Sequence, residues 1–225
     1  MTAERIAKGD NAIVSRAIIF DLDGTLLQTH LHSCHAAHET LRALGLSDIS
    51  DALVMRHIGE PADVFLHALA PEYPDPAAFE QLFDRNERAA LVQVGKLFDG
   101  VPELLQHLSE KGYSLAICSN GSREYVEIAL AVTGIHKFFS CLVCAGDYPD
   151  KTAAVSAIIE ELNSALAVVV GDRVHDMDAA KANGLPFISA TYGYGGVETA
   201  TAVYRAANAS EVVSLVERIE KSRSH

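Results

Sequence analysis

From residue 98 onward the chain alternates short apolar runs with helical patterns, and this alternation restricts the fold more than any other feature. "SLAICSN" (114–120), "CLVCAG" (141–146), "LAVVVGD" (166–172) and "PFISA" (186–190) read as strands. Between them "VPELLQHLSEKG", "SREYVEIALAVTG", "KTAAVSAIIEEL" and "DMDAAKANG" carry helical spacing, mostly with a glycine stop. Strand followed by helix, repeated, is the pattern of right-handed βαβ units around a parallel sheet. The expected class is therefore α/β, with a Rossmann-like parallel sheet as core. A further strand, residues 17–21, opens "AIIFDLDGTLL" (17–27), and its continuous apolar character suits a strand covered on both faces.

That first strand stands apart from the rest. Residues 28–97 separate it from the next βαβ unit and read mostly as helix, including "HSCHAAHETLRALG" and "PAAFEQLFDRNERAALVQVG". A stretch of that length is not a plain loop in a compact fold. The expected organisation is an α/β core from residues 1–27 and 98–225, and an inserted α-helical cap domain over 28–97. Its two hinges fall near 26–29 and 96–100.

With 18 Lys and Arg against 30 Asp and Glu, the formal net charge is −12 and no basic run stands out. Nucleic acid and anionic membrane surfaces are thereby disfavoured as partners. Residues 1–16 lack the apolar core of a secretory signal, and no apolar run is long enough to span a bilayer, so the expected setting is the cytoplasm. Cys141 and Cys144 have the spacing of a redox or zinc pair, but they lie in a strand-like run without a second ligand pair. They read as buried thiols.

In an open parallel sheet, ligands bind beyond the carboxyl ends of the strands. The first strand ends in Asp21 and Asp23, the second in Ser119-Asn120-Gly121, and the fourth in Gly171-Asp172 with Asp176 four residues on. Lys151 opens the helix after the third. Carboxylates gathered in one cleft repel unless a cation neutralises them, and an oxygen-only set without His or Cys favours Mg²⁺ over zinc. Mg²⁺ is commonly completed by waters and substrate phosphate. Ser119 offers a hydroxyl, the turn at Gly121 offers backbone N–H groups at a helix start, and Lys151 offers a point charge. Together these make a clamp for a phosphoryl group.

"DLDGT" (21–25), "SN" closing a strand (119–120), Lys151 at a helix start and "GDRVHD" (171–176) together resemble the haloacid dehalogenase superfamily, in the right order across residues 17 to about 197. The resemblance implies a helical C1-type cap where the insertion lies. It also implies that Asp21 is the nucleophile taking the phosphoryl group, and that Asp23 is the general acid/base and a metal ligand through its carbonyl. Asp172 would ligate Mg²⁺ directly, Asp176 directly or in a second layer, and Gly24 would admit backbone contact with the phosphoryl group. Ser119, Asn120 and Lys151 would bind phosphate. Thr152 follows the lysine where the family often has proline, and Lys137 is the alternative, whereas Lys111 and Lys181 read as helix-surface charges.

Within the superfamily, Asp23 argues against a dehalogenase, and Lys96, the only lysine in 28–97, argues against a Schiff-base phosphonatase. The main expectation is a phosphatase of the phosphoglycolate phosphatase type, acting on a small phosphorylated metabolite. The alternatives are a sugar-phosphate mutase and a catalytically silent binding module.

Bland readings stand beside these. Asp176 and Ser119 would each serve as a helix N-cap. The histidines at 30, 32, 35 and 38 read as an exposed His-rich helix rather than a metal cluster. Arg56 with "HIGEP" (57–61) reads as a cap loop meeting the substrate or as a surface turn. The Gly-rich loop "TYGYGG" (191–196) falls near the site in this topology without matching a dinucleotide fingerprint.

Overall fold

The computed structural model describes residues 15–223, so the stretch read above for a leader lies outside it up to residue 14. Six strands form one sheet in the order β3-β2-β1-β4-β5-β6, and every neighbouring pair is parallel. They are β1 (Ser15–Phe20), β2 (Ser114–Cys118), β3 (Phe139–Val143), β4 (Ser164–Gly171), β5 (Phe187–Ala190) and β6 (Tyr204–Ala206). Five strands were expected from the sequence, and each is present with bounds shifted by a few residues. The sixth, three residues long, is too short to leave a periodic signal.

The central strand explains its own composition. Ile18 and Phe20 turn to one face and pack with α5 (Val101–Glu110), α6 (Arg123–Thr133) and α9 (Ala209–Arg223). Ala17 and Ile19 turn to the other and pack with α7 (Lys151–Glu161) and α8 (Val174–Ala182). A side-chain period of two on a strand covered from both sides requires apolar residues at every position. Burying Ile18, Ile19 or Phe20 contributes about 1.5–3 kcal/mol each.

Between β1 and α5 lie four helices and no strand of the sheet: α1 (His30–Ala43), α2 (Asp51–His57), α3 (Ala62–Leu69) and α4 (Pro76–Val94). Asp75 starts α4 by accepting from the Ala78 N–H at 3.0 Å, with Pro76 in the first turn where no N–H is needed. These helices have an apolar cluster of their own, including Cys34, Leu41, Val54, Ile58, Phe65, Phe79 and Phe83. The chain leaves and re-enters the sheet side by side. The Gln28 N–H donates to Lys96 O at 2.8 Å, and the Phe98 N–H donates to Leu26 O at 2.9 Å.

Strand order decides which loops meet. β2, β1 and β4 are neighbours, so the residues beyond their carboxyl ends converge, and α7 brings its first residue in from β3. All four cysteines are free and buried, as the strand reading of Cys141 and Cys144 implied.

Candidate active site

Asp21 follows β1 directly, and its N–H continues the ladder by donating to Val170 O at 2.9 Å. Its carboxyl is buried. Oδ1 accepts from Lys151 Nζ at 2.7 Å, whereas Oδ2 has no partner among the described residues. Lys151 also lies 2.6 Å from Asp176 Oδ1, an ion pair without hydrogen-bond alignment. The sequence assignment of Lys151 therefore places its ammonium between two site carboxylates. Lys111, Lys137 and Lys181 are exposed.

Asp172 directly follows β4. Its Oδ2 accepts the N–H groups of Tyr194 at 2.6 Å and Gly195 at 3.1 Å, which draws the "TYGYGG" loop over the site. Its Oδ1 has no partner among the described residues. Asp176 uses Oδ2 to accept the Arg173 N–H at 3.0 Å. Asp176 is therefore not the N-cap, a position held by Arg173, but the third residue of α8, bonding back to the cap N–H with one oxygen while the other faces Lys151.

Carboxylate oxygens of Asp21, Asp172 and Asp176 all lie within 4.8 Å of one another. Burial, with a smaller contribution from Asp176, pushes Asp172 up to about 7. Burial likewise raises Asp21, against the pull of Lys151, and the neighbouring aspartates add to the rise. Lys151 is held well above its usual range: burial alone would lower it, but Asp176 and Asp21 outweigh that. Three carboxylates face one ammonium, with two carboxylate oxygens unpartnered. The deficit of two positive charges and the all-oxygen donor set fit a divalent hard cation.

Asp23 is separated from this group. Its Oδ1 accepts from the Tyr125 hydroxyl at 2.6 Å and from Thr29 Oγ1 at 2.7 Å. Tyr125 OH in turn meets His32 Nε2 at 3.0 Å. Since the phenol proton goes to Asp23, the imidazole donates through Nε2. Burial lowers His32 to about 4, so the ring is neutral. Burial raises Asp23, while its two hydroxyl donors pull it back down.

The exposed His-rich helix is corrected at this point. His32 is fully buried behind Tyr125, and His30 pairs through Nδ1 with Tyr194 OH at 2.8 Å. His38 reaches Asp48 and Asp51, acidic partners that fall outside its helical register. Of the four, only His35 is exposed. Packing against α4, Tyr125 of α6 and Tyr194 decided this, and one helix pattern does not record what covers it.

Gly24 has φ +83°, and a Cβ there would lie 2.5 Å from Asp172 Oδ2. Gly195 comes closer still: its Cβ would lie 1.8 Å from the Asp172 carbonyl oxygen. Ser119 is buried, and its Oγ accepts from the Gly121 N–H at 3.0 Å, leaving the hydroxyl proton to donate elsewhere. The Asn120 amide reaches across to the inserted helices and donates to Gly59 O at 2.9 Å.

The "HIGEP" loop proves to be a contact with the core. Arg173 donates to Arg56 O at 2.8 Å and pairs with Glu60, and His175 meets the same Glu60 at 2.8 Å. Tyr125 and Thr29 carry no signal in the sequence, and His32 and Glu60 stand out there only as members of a His-rich helix and of the "HIGEP" loop. Their roles depend on partners distant along the chain.

The match to known proteins agrees with this geometry. Residues 18–190 fit the model of the haloacid dehalogenase-like hydrolases, a span that holds every acidic residue of the site. The chain belongs to that family. The phosphoglycolate phosphatase of Vibrio cholerae is 31% identical over 195 residues, spanning 80% of this chain and 85% of the relative. That of Yersinia pestis is 31% identical over 190 residues, with shares of 80% and 82%. Two solved structures share the fold of this hydrolase. One is a predicted phosphoglycolate phosphatase from Haemophilus somnus, with TM-score 0.80, 23% identity and coverage of 90% and 98%. The other is a haloacid dehalogenase-like family hydrolase from Streptococcus pneumoniae, with TM-score 0.78, 22% identity and coverage of 90% and 98%. Among the described residues, no helix is long and apolar enough to cross a membrane.

Proposed function

We propose that this hydrolase is a Mg²⁺-dependent phosphatase of small phosphomonoesters and works through an aspartyl phosphate on Asp21. That the chain is a phosphatase rests on its family and on curated relatives that are phosphoglycolate phosphatases. The observation that carries the finer reading is the gathering of three buried carboxylates around one buried ammonium, next to a fourth carboxylate held apart from them.

Asp21, Asp172 and Asp176 would hold the cation with their side chains, and Asp23 with its carbonyl. Bound there, Mg²⁺ supplies positive charge against the phosphoryl oxygens. Asp21 attacks phosphorus, forming an Asp–O–P bond as the ester P–O bond breaks. Asp23 gives its proton to the departing alkoxide oxygen. It then takes a proton from the water that attacks the acyl phosphate, releasing inorganic phosphate and restoring Asp21. Burial favours the protonated form of Asp23, and Tyr125 with Thr29 favours the ionised form, so both states are within reach. Lys151 favours the ionised form of Asp21 against its burial, and Ser119 with the Gly121 turn receives phosphate oxygens.

The helices over 28–97 form a cap domain on the core domain of 1–27 and 98–225, with the paired crossings at Gln28–Lys96 and Leu26–Phe98 as its hinge. Closure would exclude water and bulky phosphoesters. A mutase would hold its intermediate with cap lysine and histidine groups. The cap's single lysine, Lys96, sits at the hinge 3.8 Å from Asp99, and His32 is turned into a buried hydrogen bond. The inferred partner is a small phosphorylated metabolite, and the inferred setting is the cytoplasm.

The test is hydrolysis of p-nitrophenyl phosphate and a panel of small phosphate esters, with Mg²⁺ and with chelator. Mg²⁺-dependent turnover supports the reading. Absence of turnover throughout would leave a binding module on this fold.

A further inference from the structure

Resting on that reading, we infer that the preferred substrate is a phosphomonoester whose organic group carries an ammonium, held by Glu87 in the cap. A cavity of about 230 Å³ lies between the inserted helices and the core. Asp23, Asn120 and Gly121 form its core side, so the group esterified to the phosphate has this space to enter. Its far side is built by α3 and α4.

That far side is apolar and acidic. Phe65 and Phe83 pack edge to face with centroids 5.3 Å apart, and both line the cavity beside Ile58. Glu80, Asp84 and Glu87 line it from successive turns of α4. The one cation in the lining among the described residues is Arg88, and it is engaged: Asp84 lies 3.8 Å away and Glu124 3.2 Å. Glu87 Oε1 accepts from Ser33 at 2.5 Å, while its Oε2 has no protein partner among the described residues. Burial pushes this carboxyl up to about 8, with the charges of Asp23 and Asp84 adding to the rise.

Each feature favours a cation and disfavours an anion. A substrate carboxylate would enter beside Glu87 and Asp84 with no free positive group to meet it, at the cost of leaving water. An ammonium would ionise Glu87, satisfy the open oxygen and lie beside the two phenyl rings. Specificity is a difference between competing ligands, and a like charge contributes to it by repulsion.

Three esters of similar shape separate the possibilities: 2-aminoethyl phosphate, n-propyl phosphate and phosphoglycolate, assayed with p-nitrophenyl phosphate as control. The expected order of kcat/KM is ammonium, then neutral, then carboxylate, with about tenfold or more between the first and last. Glu87→Gln keeps the shape and the bond from Ser33, and should reduce the ammonium-to-neutral ratio severalfold. Leu66→Ala, on the same wall without charge, should lower rates while keeping the order. Phosphoglycolate turned over as well as or better than 2-aminoethyl phosphate overturns the inference, and so does an ammonium-to-neutral ratio that Glu87→Gln leaves unchanged. In both cases turnover of the control shows that the phosphatase reading stands. If none of the four compounds is hydrolysed, that reading fails and the inference falls with it.

Discussion

Asp21 and Asp23 stand two residues apart, yet their carboxyls face different partners: Asp21 meets the Lys151 ammonium at 2.7 Å, and Asp23 meets the Tyr125 hydroxyl at 2.6 Å. The chain turns at Gly24, whose positive φ and missing Cβ allow Asp172 to close in from the other side. One carboxylate is thereby placed in a group of charges and the other among neutral hydroxyls. A nucleophile must stay ionised and an acid/base must gain and lose a proton, so this division is what the proposed chemistry needs.

Asp23→Asn keeps the shape and both hydroxyl contacts but removes the proton carrier. Turnover of an alkyl phosphate should fall by roughly two to four orders of magnitude, the usual range for a general acid/base. Mg²⁺ affinity by calorimetry should stay near the wild-type value. An aryl phosphate with an activated leaving group should lose less, and equal losses on both esters would count against the role.

Tyr125→Phe removes the donor to Asp23 and leaves the buried Nε2–H of His32 without an acceptor. An unsatisfied buried donor costs about 1–3 kcal/mol, so urea unfolding should show a destabilisation of that size. His32→Phe on top of Tyr125→Phe should cost less than the sum of the two single changes. Strict additivity would show that the chain from His32 to Asp23 is not coupled.

How much of this was open to reading can be followed residue by residue. Asp21, Ser119, Lys151 and Asp172 mark strand or helix ends, and hydrophobic periodicity locates those ends without reference to anything distant. The helical insertion was legible for the same reason. Tyr125 was not: it contacts Asp23 across 102 positions, and in its own helix it is simply one more residue of the apolar face. The same holds for Arg173 and Glu60, which meet across 113 positions at the contact between cap and core. The bond from the Asn120 amide to Gly59 O was equally hidden, because a strand end does not state what will be packed opposite it.

Glu87 should give the fold a distinctive pH response. Its folded pKa of about 8 lies above the ordinary 4.5, so its contribution is fully present below pH 4.5 and is lost as pH rises through about 8. Glu87→Gln does not titrate. The difference in melting temperature, variant minus wild type, should therefore grow across that window and level off above it. A difference that is flat with pH would place the wild-type carboxyl in ordinary solvent.

Asp172→Ala removes one of the crowded carboxylates. Mg²⁺ affinity should drop sharply. The metal-free protein should melt at about the same temperature or lower, since the relief of charge repulsion is opposed by the Tyr194 and Gly195 N–H groups that lose their acceptor. Calorimetry showing unchanged Mg²⁺ affinity would remove Asp172 from the metal site.

The central claim is that the phosphoryl group passes through Asp21. Rapid acid quench of the Mg²⁺-loaded enzyme during turnover of a ³²P-labelled ester, followed by peptide mapping, tests it directly. With an activated aryl ester, whose departure hardly needs the proton, the Asp23→Asn variant should accumulate more label, because hydrolysis of the acyl phosphate is slowed. The account predicts acid-stable, hydroxylamine-labile label on the peptide containing Asp21, and none in Asp21→Asn. Turnover that persists in Asp21→Asn, or label found on any other residue, would contradict it.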